Sequence, residues 1–316
     1  MITKRIDAIT LIPEERRRVD PPAPRSVKIE LTGRCNYRCS FCALRSRESQ
    51  PAGDMDFRLF RRLTREMREA GVEEIGLFFL GESFMAKHLL CNAVWFLKDT
   101  LQMPYVFLTT IGSLADAHTV DDLMAAGLDS LKWSINAADA EQFAQVMQVK
   151  PALWELSLQN LRWAREVRDS RKYATRIYAS SIKYDGEQHE KMEKLLTERV
   201  RPYVDEHYWL PLYSMGAVAT QREEELGYKP IAGNQGRIGA LRDPLPCWSV
   251  FTEGHVTSSG KLSACCFDAD GRFAMADLNE VSFMEGWLNQ RFQDLRARHL
   301  QKDVTGTVCE GCIAYV

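Results

Sequence analysis

The sequence predicts an α/β protein in which a partial (β/α)6 TIM-like barrel is followed by a small, cysteine-rich C-terminal domain. Two observations predict this fold. From Ser26 onward, short β-branched or aromatic runs alternate with longer amphipathic runs, as in repeated βα units around parallel strands. After Tyr213 this alternation stops, and five of the nine cysteines follow. Six units are too few to close an eight-stranded barrel, so we expect an open sheet.

Six runs predict the parallel strands of the barrel. They are Val27–Leu31, Glu74–Leu80, Tyr105–Thr109, Ser130–Ile135, Thr175–Ile182 and Glu206–Leu212. Helices are predicted between them where apolar residues recur at a spacing of three and four. The clearest are the segment from Phe57 to Ala70, which ends at Gly71, and the segments 116–126 and 188–200.

Three regions follow from this pattern. Residues 1–25 are interpreted as a lead-in, with regular structure beginning after it, because the prolines of the segment 20–24 cannot continue a helix. Residues 26–215 are predicted to form the barrel, and residues 216–316 the second domain.

The amino-acid composition limits the classes of function and partner that we expect for this protein. Lys plus Arg total 41 and Asp plus Glu total 43, so no overall positive field attracts a nucleic acid. No apolar run approaches the roughly 20 residues that span a bilayer, and the first residues lack a signal-peptide core. We therefore expect a cytoplasmic protein with neither nucleic-acid nor membrane partners. In a reducing compartment, clustered cysteines indicate metal ligands sooner than disulfides.

The first cysteine group lies in the loop after the first predicted strand. Cys35, Cys39 and Cys42 are separated by three and then two residues. Three thiolates on a 4Fe-4S cluster leave one iron open to a small molecule. A structural zinc site would need a fourth nearby Cys or His, and none follows until His88.

This segment, with the aromatic Phe41 before the last cysteine, resembles the signature of the radical S-adenosylmethionine (SAM) superfamily. The resemblance implies that the open iron chelates SAM, and that one electron then splits SAM into methionine and a 5′-deoxyadenosyl radical. It also implies a reducing partner such as flavodoxin or ferredoxin.

Further SAM contacts are expected at the same ends of the strands. Gly81 and Glu82 follow the second predicted strand, where the family places a Gly-Glu motif that meets the methionine amino group. Ser134 and Asn136 end the fourth strand and face the same way. By resemblance they are candidates for the ribose hydroxyls, although a turn capped by Asn explains them equally well.

The second cysteine group lies in the C-terminal segment. Cys247 and Cys265 flank Gly260, which suits a hairpin tip, and Cys309 and Cys312 form a tight pair. Four thiolates hold either a tetrahedral zinc or a second 4Fe-4S cluster, and the spacing is compatible with both.

The C-terminal segment resembles the twitch domain, a shortened relative of the SPASM domain. The resemblance implies one auxiliary 4Fe-4S cluster on these four cysteines, which makes two clusters in all. Cys266 and Cys91 are interpreted as small packing residues.

Four thiolates leave the auxiliary cluster no open iron, so its expected role is to accept an electron. The predicted reaction is therefore a net two-electron oxidation of a small molecule: a polyol, sugar or aminocyclitol. The cysteine layout is similar to that of the 2-deoxy-scyllo-inosamine dehydrogenases. Two alternatives stay open: a maturase that cross-links or epimerises a ribosomally made peptide, and a metal-stapled scaffold without catalysis.

Oxidation of an alcohol also needs a base, and the sequence does not identify one. Five residues in the second half of the chain are available, and each is more readily explained as a surface or ion-paired side chain. They are Lys183, His189, His207, Arg237 and Arg242.

Overall fold

The computed structural model describes residues 1–42, 53–213 and 231–313. Within these ranges, nine strands form one sheet in the order β6-β5-β4-β3-β2-β1-β7-β8-β9. The strands are β1 (Ser26–Ile29), β2 (Glu74–Gly76), β3 (Tyr105–Thr110), β4 (Ser130–Ser134), β5 (Arg176–Ile182), β6 (Glu206–Leu210), β7 (Glu253–Val256), β8 (Lys261–Ser263) and β9 (Ala274–Asp277).

The helices of the described residues lie before, between and after these strands. They are α1 (Ile2–Thr10), α2 (Phe57–Glu69), α3 (Lys87–Trp95), α4 (Ala117–Ala125), α5 (Ala140–Met147), α6 (Ala152–Arg171), α7 (Gly186–Leu195), α8 (Ser249–Thr252), α9 (Phe283–Trp287), α10 (Gln290–Leu300) and α11 (Glu310–Ile313). Short 3-10 turns lie at Glu14–Arg16, Ser83–Ala86 and Arg201–Tyr203, and π-helical turns at Phe96–Thr100 and Leu196–Val200. None of them combines the length and apolar character that a transmembrane span requires.

The parallel part of the sheet agrees with the partial barrel that the sequence predicts. Strands β1 to β6 pair in sequence order and in parallel, and β6 lies at one end of the sheet. Alternate residues face opposite sides of a strand, and β4 shows this clearly: Leu131 and Trp133 are fully buried in the main hydrophobic core. Ser130 and Lys132, which alternate with these two residues along the strand, line an interior cavity, here called the lumen cavity.

Local sequence explains where the predicted helices begin. Asp56 caps α2, because its side chain accepts from the backbone N–H groups of Arg58 and Leu59. Asp116 caps α4 in the same way.

The second strand is shorter than predicted: it ends at Gly76, and residues 77–80 continue into the loop that carries Gly81.

The expectation that regular structure begins after residue 25 is wrong. Residues 2–10 form α1, and Ile2, Ile6 and Ile9 line the floor of the lumen cavity. Their spacing of four and three places them on one helical face. The Ile2 N–H donates to Glu206 at the start of β6 at 2.8 Å, so α1 covers the end of the barrel where the strands begin.

The C-terminal strands extend the barrel sheet. β7 pairs in parallel with β1, with Ser26 opposite Glu253 and Ile29 opposite Val256. β8 and β9 continue it as antiparallel strands. The predicted boundary between residues 215 and 216 lies outside the described residues, and the division into three regions stays a prediction.

Candidate functional site

One cavity at the carboxyl ends of the strands collects the predicted cofactor residues. This cavity, here called the upper cavity, has a volume of about 230 Å³. Three thiols, the Gly-Glu pair and the end of β4 all line it. The residues predicted from the sequence that lie there are Cys35, Cys39, Phe41, Cys42, Gly81, Glu82, Ser134 and Asn136.

Backbone hydrogen bonds fix the cysteine loop. The N–H of Arg38 donates to the carbonyl of Met147 at 3.1 Å, and that of Ser40 donates to Val146 at 2.7 Å. Both carbonyls belong to the last turn of α5, whose final carbonyls lack partners within the helix. The loop thus completes the hydrogen bonding of the helix end and is held over the strands.

The three thiols of the upper cavity suit iron ligation. Burial, with the nearby Glu82 and Cys42 as smaller causes, raises the pKa of Cys35 to about 12. Burial also raises the pKa of Cys39 well above its usual value, with Cys42 and Cys35 adding to the effect. Such a set ionises only beside a strong positive charge, which an iron–sulfur cluster provides. Among the described residues, no other Cys or His lines this cavity, so the donor set fits a cluster with three protein thiolates.

Gly81 is required by a close approach of two loops. A Cβ atom at this position would lie 2.0 Å from the carbonyl oxygen of Thr32 and 2.9 Å from that of Arg34. The next residue joins the same loop, because the Glu82 N–H donates to the Arg34 carbonyl at 2.8 Å. The Gly81 N–H donates to the buried Glu30 carboxylate at 3.2 Å. The glycine therefore lets the Gly-Glu segment dock directly on the cysteine loop.

Glu82 is a buried carboxylate without a cationic partner among the described residues. It is 3% exposed and accepts from the N–H groups of Phe84 and Ile111 and the hydroxyl of Thr110, at 2.9 to 3.1 Å. Burial raises the pKa of this carboxyl, and these hydrogen bonds oppose the rise. A bound ammonium group would stabilise its ionised form, which fits the predicted contact with the amino group of SAM.

Asn136 has a structural role that the sequence did not reveal. Its Oδ1 accepts from the Ile182 N–H at 3.0 Å, and its backbone carbonyl accepts from the Tyr184 hydroxyl at 2.7 Å. These bonds tie the end of β4 to the end of β5. Ser134 lies two residues earlier on the same side and also faces the upper cavity; contacts of both residues with SAM stay predictions.

A second, smaller cavity of about 20 Å³ collects the C-terminal cysteines. Cys247, Cys265, Cys309 and Cys312 all line it, and we call it the auxiliary cavity. Burial raises the pKa of Cys247 to about 12, with Cys312 as a further cause. Four buried thiols that repel one another as thiolates fit a cluster held by four cysteines.

His299 also lines the auxiliary cavity, and the sequence reasoning missed it. It is 1% exposed, and burial lowers its pKa to about 4, so the ring is neutral. Its Nδ1 accepts from the Cys247 N–H at 3.2 Å. The ring proton therefore lies on Nε2, which is 3.4 Å from the Cys309 Sγ atom.

The third cavity is the lumen cavity, of about 220 Å³, inside the barrel. Phe78 and Thr109 line both this cavity and the upper cavity, so the two adjoin. Cys266 lines the lumen cavity, whereas its neighbour Cys265 lines the auxiliary cavity.

Within the described residues, no group of three or more Cys, His, Asp or Glu side chains is arranged to hold a single metal ion. The thiols of each set are instead distributed around a cavity.

The radical SAM superfamily profile matches residues 29–197, more than half of the chain. The chain belongs to the radical SAM superfamily. A profile of the SPASM family, an iron-sulfur cluster-binding domain, matches residues 247–313. The two matches contain the two cysteine sets, three thiols in the first and four in the second, with Cys91 and Cys266 in addition.

Solved structures share this radical SAM fold. BtrN in complex with AdoMet and 2-DOIA is 15% identical with a TM-score of 0.58, and the match covers 91% of each chain. SuiB of Streptococcus suis bound to precursor peptide SuiA is 13% identical with a TM-score of 0.66, covering 87% of this chain and 66% of SuiB. Native anSMEcpe with bound AdoMet is 12% identical with a TM-score of 0.58, covering 85% and 82%. At these identities the likeness shows the fold.

None of the five candidate bases lines one of the three cavities of this radical SAM protein. Arg237 pairs with Asp7 at 2.6 Å, and Arg242 donates to the Asp7 carbonyl and to Thr10. His207 is 3.0 Å from the Ser181 hydroxyl. Trp209 lies between the rings of His207 and His189. Lys183 is exposed.

The charged residues of the lumen cavity were missed by the sequence reasoning, although a signal was present. Lys28 and Lys132 occupy strand positions that alternate with fully buried apolar residues. A lysine at such a position points into the barrel interior. Glu253 of β7 lines the same cavity, but its place beside β1 depends on a pairing between distant segments.

Proposed function

We propose that this protein is a radical SAM oxidoreductase that oxidises a small polyol, sugar or aminocyclitol, with one auxiliary 4Fe-4S cluster as the electron acceptor. The observation that carries the proposal is the division of the cysteines between two cavities. Three thiols lie in the upper cavity with a buried carboxylate that has no cationic partner among the described residues, and four thiols lie in the auxiliary cavity. The first set leaves an iron open to SAM, and the second does not.

Each residue of the upper cavity has a role in this proposal. Cys35, Cys39 and Cys42 would hold the first cluster, and Glu82 would orient SAM through its amino group. Ser134 would contact the ribose. When bound, the cluster and SAM together supply a 5′-deoxyadenosyl radical that abstracts hydrogen from carbon. Aromatic residues of the lining, which include Phe41, Phe79 and Trp154, would exclude water from this chemistry.

The lumen cavity is the proposed substrate site. It adjoins the upper cavity through Thr109 and contacts Cys266, the neighbour of a proposed auxiliary ligand. A substrate there would lie between the two proposed clusters. The volume of about 220 Å³ supports a small molecule over a peptide, which is the second candidate substrate class. A flavodoxin or ferredoxin would supply the electron that starts each turnover.

Iron content and SAM cleavage test the two-cluster proposal. Anaerobically purified protein should contain about eight irons per chain, as two 4Fe-4S clusters require, and should release 5′-deoxyadenosine when reduced with dithionite. The variant C35A/C39A/C42A should lose SAM cleavage and keep the absorbance of the auxiliary cluster. A zinc-containing, colourless protein would support the scaffold alternative instead.

Substrate class and electron acceptor need a separate experiment. Reduced enzyme and SAM are incubated with polyols, aminocyclitols and peptides that carry deuterium on carbon. Deuterium in 5′-deoxyadenosine identifies the substrate and the abstracted hydrogen. The variant C309A/C312A should keep some SAM cleavage and lose substrate oxidation. Product formation by that variant would contradict the electron-acceptor role.

A further inference from the structure

The charged side chains of the lumen cavity are mostly paired with one another. Arg5 forms an ion pair with Glu74 at the floor of the cavity. Lys28 lies 2.8 Å from Glu253, and Glu253 also contacts His255 at 2.8 Å. Each of these cations has a carboxylate beside it, so these pairs leave little net charge.

Cys266 continues the second of these pairs. The Cys266 thiol raises the pKa of His255, so electrostatic coupling runs through four groups, from Lys28 through Glu253 and His255 to Cys266. Along this series, basic groups alternate with groups that can carry a negative charge. The charges of these four groups therefore offset one another, and the Glu253 carboxylate is not available to another cation in the cavity.

Lys132 differs from the other cations among the described residues that line this cavity, because it has no carboxylate beside it. No carboxylate of the described residues lies within ion-pair distance of it, and its ring contact is Tyr208, whose centroid is 5.7 Å from Nζ. Burial, with the charge of Lys28 as a smaller cause, lowers the pKa of Lys132 to about 7. The Tyr208 hydroxyl offers no charge, because burial raises its pKa. An unpaired cation in such a site is stabilised by an anion that enters with a ligand.

The position of Lys132 is next to the proposed site of hydrogen abstraction. On β4 it pairs in register with Thr109 of β3, and Thr109 lines both the lumen and the upper cavity. Ser134, two residues further along the same face, lines the upper cavity. A group held by Lys132 would therefore lie directly below the region proposed for SAM.

We propose that Lys132 binds an oxyanion of the substrate, a carboxylate or a phosphate, so that the enzyme oxidises a sugar acid or sugar phosphate and disfavours an amine-bearing cyclitol. This inference rests on the proposed function and narrows its substrate class. A protonated amine would be repelled by Lys132 and gain no carboxylate, because Glu253 and Glu74 are already paired. A charge-assisted hydrogen bond to an oxyanion is about twice as strong as a neutral one.

Matched ligand pairs test the inference without turnover. The holoenzyme with SAM and without reductant is titrated with each ligand in a thermal-shift assay. The matched pairs of acid and neutral ligand are gluconate with glucitol and glucose 6-phosphate with glucose. Glucosamine is the amine-bearing ligand and is compared with glucose. At least one acid should bind about tenfold more tightly than its neutral partner, and glucosamine should bind no better than glucose. The gluconate and glucose 6-phosphate arms distinguish a carboxylate from a phosphate. Equal binding of acid and neutral partner in both arms, or a preference for glucosamine, overturns the inference.

Variants test whether Lys132 causes the preference for the acid over its neutral partner. Lys132→Met should bring the acid-to-neutral ratio to within about twofold of one, and Lys132→Arg, which keeps the charge, should retain most of the preference. The control Lys194→Met removes an exposed lysine of α7 and should match the wild type. Cluster absorbance and the unfolding midpoint show that each variant is folded. An unchanged preference in Lys132→Met, or its loss in Lys132→Arg, overturns the assignment.

Failure of the inference differs from failure of the proposed function. SAM cleavage by the reduced wild type and by Lys194→Met, measured without any sugar, reports the radical chemistry alone. If cleavage occurs and neither acid is preferred, the substrate inference fails and the radical SAM chemistry stands. If two clusters are present and cleavage is absent, the proposed function itself fails.

Discussion

The ring Nε2 atom of His299 lies 3.4 Å from the Sγ atom of Cys309. Because Nδ1 of the same ring accepts a backbone N–H, Nε2 carries the proton and points at a proposed cluster ligand. Hydrogen bonds to cluster sulfurs raise the reduction potential by stabilising the more negative, reduced state. His299 is thus positioned to make the auxiliary cluster a better electron acceptor.

Replacing His299 should lower the potential of the auxiliary cluster. A loss of about 1 kcal/mol of differential stabilisation corresponds to about 40 mV for one electron. We expect such a decrease in His299→Leu and a smaller one in His299→Gln, which keeps an N–H donor. The measurement is a redox titration followed by electron paramagnetic resonance, in a C35A/C39A/C42A background that isolates this cluster. Equal potentials in the Leu variant and its parent would show that the hydrogen bond has no such effect.

Adding one methyl group at Gly81 should disrupt the upper cavity. Its Cβ would lie 2.0 Å from a backbone oxygen, and overpacking of this kind costs about 1–3 kcal/mol. We expect Gly81→Ala to unfold at lower temperature and to lose most SAM cleavage. Gly53→Ala is the matched control, because no atom lies within 4 Å of the added Cβ, and its unfolding midpoint should stay unchanged. Wild-type SAM cleavage by Gly81→Ala would disprove the docking role.

Neighbouring cysteines should differ in their effect on iron content. Cys265 lines the auxiliary cavity, whereas Cys266 lines the lumen cavity. Cys265→Ala should therefore lower the iron content by about four atoms per chain, the content of one 4Fe-4S cluster. Cys266→Ala should keep all of it. Iron assay and visible absorbance of the two proteins check this. The reverse result would assign the ligand to Cys266.

His207 should make stability depend on pH between 4 and 6.5. Burial, with Arg201 as a smaller cause, lowers the pKa of His207 to about 4. The unfolded chain therefore takes up a proton near pH 6.5 and the folded protein only near pH 4. Stability is full above pH 6.5 and declines as the pH falls toward 4, by about 1–3 kcal/mol.

The unfolding midpoint of the wild type and of His207→Gln, measured across this range, checks the prediction. The variant should show a smaller decline. His118→Gln, which removes an exposed histidine of α4, is the control and should keep the wild-type decline. Parallel curves for the wild type and His207→Gln would contradict the assignment to this side chain.

Local patterns predicted most of the barrel and the site. The helix that begins at Phe57 and the strand that begins at Ser130 depend on neighbours in sequence, so both could be predicted. Helix α1 was missed because the prolines that follow it outweighed the spacing of Ile2, Ile6 and Ile9. The pairing of β7 with β1 joins segments more than 200 residues apart, and no local pattern specifies such a partner. Lys132 was overlooked because its lack of a carboxylate is a property of the folded cavity.

The parallel pairing of β7 with β1 has a consequence for any attempt to dissect this protein. A fragment that ends before β7 would leave the backbone N–H and C=O groups along one side of β1 without partners. Such an uncovered edge recruits strands from other molecules, so the fragment should aggregate instead of behaving as an isolated barrel. The two cysteine sets are linked through one sheet, and they should be inherited, exchanged and engineered as a single unit.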